Sequence, residues 1–196
     1  MIDKMYEQVL EFSRTYGFQI GDENTLISDN LRKQRFDLIH EEICEYVVAK
    51  KEGNRIEMLD ALCDIMYVTL GSFITFGIPI KNSNVGMQLC DFTDDLTHGD
   101  KICMRLYLES IVANVLTKAF NSHFDFMNAF AEVHRSNMSK SCGSIDEVYA
   151  TMAQHKYKDI DYNYVIKEGR WFIHRKDNGK LIKSIAYSKA ELAKYI

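Results

Sequence analysis

From Met58 to Phe76 the chain carries only two charged residues, Asp60 and Asp64, and is otherwise apolar or small. A helix that is apolar nearly all round must be buried. The rest of the chain therefore has to wrap around this segment, and its two acids need a partner. The pattern predicts a helix over 55–76, ended by Gly77 and Pro79, and a second long helix over 31–52, with Gly53 as its stop. The short link at Gly53-Asn54 makes the two antiparallel neighbours in a helical hairpin.

Further helices are predicted over 3–16, ending near Gly17, and over 101–120, 124–139 and 144–156, with a polar connection over 18–30. One proline and ten glycines in 196 residues favour helices over a turn-rich β fold. Residues 81–100, with the acidic cluster Asp91, Asp94 and Asp95, read as a loop with a helical turn. From Tyr162 the pattern changes. Tyr164-Val165-Ile166, Glu168-Gly169 and Trp171-Phe172-Ile173 predict strand, turn and strand, and Asp177-Asn178-Gly179 a second turn before Leu181-Ile182. The expectation is a mainly α protein: an antiparallel helical bundle over 1–143, then, over 144–196, a short helix and a small β appendage packed on the same domain.

Composition narrows the function. A formal charge of −4 without a basic stripe gives no sign of a nucleic-acid or membrane surface. The start, Met-Ile-Asp-Lys, is polar at once, unlike a signal peptide. The stretch Ile65 to Ile80 is shorter than the roughly 20 uncharged residues of a membrane span. Five scattered cysteines (Cys44, Cys63, Cys90, Cys103, Cys142) form no CxxC pair, so reduced thiols in a cytoplasmic protein are expected rather than disulfides or zinc.

The chemistry concentrates in Glu41-Glu42-x-x-Glu45 and Glu57-x-x-Asp60-x-x-x-Asp64. On helices, Glu41, Glu42 and Glu45 share an arc of about 100°, and Glu57, Asp60 and Asp64 one of about 60°. Antiparallel packing lets the two arcs face each other. Taken alone, the three glutamates equally suit a solvated helix face. Asp60 and Asp64 do not, because aspartate is a poor helix-interior residue and its neighbours here are apolar. A hard divalent cation such as magnesium, or manganese in its place, takes oxygen ligands and holds phosphate oxygens. A di-iron bundle would need Glu-x-x-His pairs, and only Asp37-x-x-His40 and Asp95-x-x-His98 come near.

A second constellation runs from Glu132 to Lys140. Arg135 and Lys140 can meet phosphate charge and Asn137 can bond a base, sugar or phosphate, although basic groups also simply suit a helix C-terminus. Tyr46, Tyr67 and Phe76 fit core positions. His134 reads as a partly exposed histidine, and Cys44 and Cys63 as small packing residues.

At these residues the chain resembles the all-α nucleotide pyrophosphohydrolase superfamily, which includes MazG-like enzymes, phosphoribosyl-ATP pyrophosphohydrolase and dimeric dUTPases. Glu41, Glu42 and Glu45 match its Glu-Glu-x-x-Glu helix, and Glu57 and Asp60 its Glu-x-x-Asp helix. In another alignment Asp64 takes the aspartate role and Ala61 stands where glutamate would be. Glu132-Val-x-Arg-Ser-Asn-Met-Ser-Lys140 and the tail from Asp177 through Lys183 to Tyr187 also resemble family segments.

The resemblance implies magnesium-dependent hydrolysis of a nucleoside triphosphate, a dNTP foremost, to monophosphate and pyrophosphate. Glu42, Glu45, Glu57, Asp60 and Asp64 are then metal ligands. Glu41, Glu42 and Glu45 are catalytic, with Glu41 orienting water, and Arg135, Asn137 and Lys140 contact substrate. A homodimer or homotetramer is expected. Phosphoribosyl-ATP hydrolysis, an inactive nucleotide binder and a purely structural helical dimer are the alternatives.

Overall fold

The computed structural model describes residues 1–80, 101–155, 161–167, 169–176 and 181–196. The acidic cluster Asp91, Asp94 and Asp95 with its expected loop, Cys90, His98, Glu168 and the Asp177-Asn178-Gly179 turn lie outside the described residues. Among the described residues six helices precede a small sheet: α1 (Ile2–Tyr16), α2 (Asp29–Glu52), α3 (Arg55–Phe76), α4 (Lys101–Asn121), α5 (Phe126–Met138) and α6 (Ile145–His155). The strands β1 (Tyr162–Lys167), β2 (Arg170–Arg175) and β3 (Leu181–Ile182) form an antiparallel sheet in the order β1-β2-β3. The architecture is mainly α with a small β appendage, as expected.

Local chemistry sets the helix limits. Ser28 caps α2, its hydroxyl accepting from Leu31 N at 3.2 Å, and Asn54 caps α3, its side chain accepting from Glu57 N at 3.2 Å. Gly77 ends α3 in the left-handed region at φ 64°, and a Cβ there would lie 2.0 Å from Asp22 O, so only glycine lets the connection after α1 pass this helix end.

α3 is the axis of the fold. It packs against α1, α2, α4 and α5, most extensively against α2 across the two-residue link. By length and composition α3 could cross a bilayer, yet 78% of its most apolar stretch is buried within the fold. Leu59, Leu62, Met66, Leu70, Phe73 and Phe76 supply the centre of the core. Arg35 of α2 reaches into this packing. It donates to Val68 O at 2.7 Å and Ser72 Oγ at 3.1 Å, and burial alone lowers its pKa to about 10. A Cβ on Gly71 would come within 2.8 Å of that guanidinium.

A second apolar cluster joins α6 to the sheet through Cys142, Val148, Met152, Tyr162, Ile173 and Ile182. The chain then returns to the helical body. Leu192 enters the main core, and Asp125 N donates to Tyr195 O at 2.9 Å. This returning tail, residues 183–196, ends in a 3-10 turn at Ala193–Tyr195 that the sequence pattern does not signal.

Candidate functional site

The hairpin brings the two acidic halves to one side of the bundle. Glu41, Glu42 and Glu45 lie in the second half of α2, and Glu57, Asp60 and Asp64 in the first half of α3, so antiparallel packing sets them across from each other. Glu41, Glu45 and Glu57 are exposed, whereas Glu42, Asp60 and Asp64 are half-buried. Glu41, Glu45 and Glu57 line an open groove of about 430 Å³ together with Cys44, Val48 and Glu52.

The inner acids are all raised in pKa by burial and by neighbouring carboxylates. Burial, then the charges of Glu45, Glu41 and Asp60, pushes Glu42 up to about 7. Burial, then Asp60 and Glu42, pushes Asp64 up to about 8. Asp60 is raised by burial and by Glu57, against the pull of Lys189 and Lys140. Loss of water and nearby like charge both disfavour an ionised carboxylate. Ala61 lies in the core, while Asp60 and Asp64 keep partial access.

The donor set is carboxylate oxygen throughout, which fits a hard divalent cation. Among the described residues, no three His, Cys, Asp or Glu side chains converge tightly enough to hold a metal as they stand. Glu42, Glu45, Asp60 and Asp64 are the groups whose charges act on one another across the hairpin.

The constellation at the end of α5 faces these acids. Lys140 Nζ donates to Asn137 Oδ1 at 2.6 Å, and its charge acts on Glu42, Asp60 and Asp64. Asn137 is buried, and its carbonyl accepts from Tyr16 Oη at 2.7 Å. Arg135 stands apart from this group. It forms a two-pronged pair with Glu132 at 2.8 and 2.9 Å and donates to the carbonyls of Ser188 and Lys189. That pairing holds Glu132 down to about 2.

Two sequence readings are corrected. His134 is buried, not partly exposed: its Nδ1 lies 3.0 Å from Tyr67 Oη and its Nε2 3.4 Å from Glu11, and burial lowers its pKa. Cys44 is exposed rather than packed, because its position on α2 falls on the groove side, whereas Cys63 is buried in the core. Lys189 was invisible in the sequence. It belongs to no motif and reaches Asp60 only because the tail folds back.

Residues 9–83, less than half of the chain, match the family model described as phosphoribosyl-ATP pyrophosphohydrolase. The "Uncharacterized protein L479" of Acanthamoeba polyphaga mimivirus is 28% identical to this chain over 226 residues, covering 91% of this chain and 90% of that protein. No solved structure matches significantly. The matched segment contains the whole acidic hairpin formed by α2 and α3.

Proposed function

We propose that the protein hydrolyses a nucleoside triphosphate, foremost a deoxynucleoside triphosphate, between the α- and β-phosphates, releasing monophosphate and pyrophosphate with magnesium as cofactor. The observation that carries this reading is the half-buried set Glu42, Asp60 and Asp64, raised in pKa and facing Lys140, within a segment that matches a pyrophosphohydrolase family model. Glu42, Glu45, Asp60 and Asp64 would hold magnesium, with Glu57 at the groove's edge as a further ligand. When bound, the ion would act as a Lewis acid on phosphate oxygens and ease deprotonation of water. Glu41 orients the attacking water and takes its proton. The water oxygen bonds to the α-phosphorus as the bond to the bridging oxygen breaks, and the leaving pyrophosphate keeps that electron pair. Lys140 neutralises the charge that develops on it.

The family description favours one second reading, hydrolysis of phosphoribosyl-ATP at the same bond. A panel of canonical and modified nucleoside triphosphates plus phosphoribosyl-ATP, with magnesium, separates the two by product. Monophosphate and pyrophosphate from one or a few triphosphates are expected. Silence across the whole panel, with manganese as well, would sink both readings.

A second copy of the chain fits the outer side of α2. Val48, 52% exposed, lines the acidic groove there with Cys44 one turn before it. An apolar helix face of this kind needs a covering surface. Sedimentation at micromolar concentration is expected to show a dimer or tetramer that Val48→Glu dissociates; a monomeric wild type removes this assignment.

A further inference from the structure

Of the four described cysteines, Cys44 alone is exposed; Cys63 and Cys142 are buried and Cys103 is intermediate. A thiol in a core packs as a small apolar group, and Cys44 has left that role. It lines the open groove of α2 with Glu41, Glu45 and Val48. One helical turn earlier stands His40, also exposed. Residues four apart on a helix share a face, and here the two side chains meet. His40 Nδ1 lies 3.7 Å from Cys44 Sγ, and its Nε2 lies 4.0 Å away. Among the described residues neither side chain has another polar partner.

That separation is close to the one a tetrahedral ion imposes on its ligands. Zinc–nitrogen bonds of about 2.0–2.1 Å and zinc–sulfur bonds of about 2.3 Å put the two donors roughly 3.5–3.6 Å apart. As a hydrogen-bonding pair the two groups are poor, because a thiol is a weak donor and a weak acceptor and both lie open to water. As ligands they are strong, and two ligands four residues apart on one helix face are how a zinc-binding helix presents its donors.

The donor type selects the ion. Thiolate and imidazole favour zinc and its transition-metal neighbours, whereas carboxylates favour magnesium or manganese. Helix α2 thus carries two donor chemistries, oxygen at Glu42 and Glu45 and nitrogen–sulfur at His40 and Cys44. Each member of the pair is followed directly by an acid, Glu41 after His40 and Glu45 after Cys44, and this local negative charge concentrates cations at the groove. Among the described residues no third His, Cys, Asp or Glu converges on the pair as it stands. Water therefore fills the other positions, so the ion exchanges with solution, unlike zinc in a closed site of four protein ligands.

We propose that His40 and Cys44 form a chelating site for one soft divalent ion, zinc foremost, separate from the carboxylates suited to magnesium. Binding converts the thiol to a thiolate and releases its proton to solvent. The site stands whether or not the protein hydrolyses a nucleotide, and its test needs no substrate.

The test is titration of cobalt(II) alone, as a spectroscopic stand-in for zinc, into the full-length protein kept reduced by a non-thiol reductant. The wild type is expected to develop the near-ultraviolet thiolate-to-cobalt charge-transfer band, saturating at one cobalt per chain. Zinc should abolish the band, and a large excess of magnesium should leave it. Cys44→Ser should lose the band, and His40→Gln should weaken cobalt binding roughly 10-fold or more, with circular dichroism unchanged in both. A wild type without the band, or a band that survives in Cys44→Ser, overturns the proposal. So does full affinity in His40→Gln, which would leave Cys44 a solitary thiol. Saturation at half a cobalt per chain would mean an ion shared between two copies and would overturn the one-chain site.

Discussion

Asp64→Asn is expected to cut pyrophosphate release by roughly 10²–10³-fold or more, a loss typical of removing one charge-stabilising group, while making the metal-free protein more stable. The two effects come from one cause. Asp64 lies on the core helix, raised to about 8 by burial and by Asp60 and Glu42. At neutral pH it either stays charged where charge is disfavoured or takes a proton from solution, and both weaken the fold relative to the neutral amide. Each kcal/mol relieved should raise the thermal midpoint by roughly 2–4 °C for a chain of this size. Glu42→Gln should behave alike with a smaller stability gain, since Glu42 is raised only to about 7. Initial-rate measurements with the substrate found in the panel, set beside thermal melts in chelator, check both halves. Full activity in the Asp64→Asn variant would remove Asp64 from the metal site.

The metal-free protein is expected to lose stability as pH rises through the neutral range, and magnesium is expected to restore it. Carboxyls with raised folded pKa values bind more protons in the native state than in the unfolded one, so stability falls with rising pH between the two values. For Asp64 that window runs from its ordinary value of 3.8 up to about 8, and for Glu42 from 4.5 to about 7. Glu132 works in the opposite sense and in a different window. Held down to about 2 by Arg135, it stabilises the fold above 4.5 and that contribution disappears as pH falls toward 2. His134, lowered by burial, likewise disfavours the fold when protonated at acid pH. Thermal midpoints in chelator should therefore peak on the acid side of neutrality and decline toward pH 8, and the decline should flatten with magnesium. A curve that is flat in chelator and unmoved by magnesium would mean that the inner acids do not carry this strain.

The hairpin was legible because its signals are local. Gly53 and Gly77 bracket the core helix, and the observed α3 has the predicted bounds, Arg55–Phe76. The strands around Tyr164 and Trp171 were readable from the change of period. What pattern could not supply is which face of each helix meets which neighbour. On α2, apolar residues lie on all sides, so nothing in the order Cys44, Val47, Val48 tells that Cys44 and both valines stay exposed. His134 is drawn inward by Tyr67, 67 residues earlier in the chain. Lys189 acquires its neighbour Asp60 only through the tail's return. These are long-range facts, set by tertiary packing rather than by period. The same limit applies to Arg135, whose place in a phosphate-like motif did not reveal its pairing with Glu132 and the tail.

The two-residue link between α2 and α3 also orders events in time. The acids meet by closing a very short loop, which is entropically easy and fast, whereas Lys140 and Lys189 arrive from the second half of the chain. A chain emerging from the ribosome thus completes its negatively charged hairpin before its own compensating cations exist. Until α5 and the tail are made, neither Lys140 nor Lys189 can relieve that repulsion, so the nascent hairpin meets the cation question before the finished protein does.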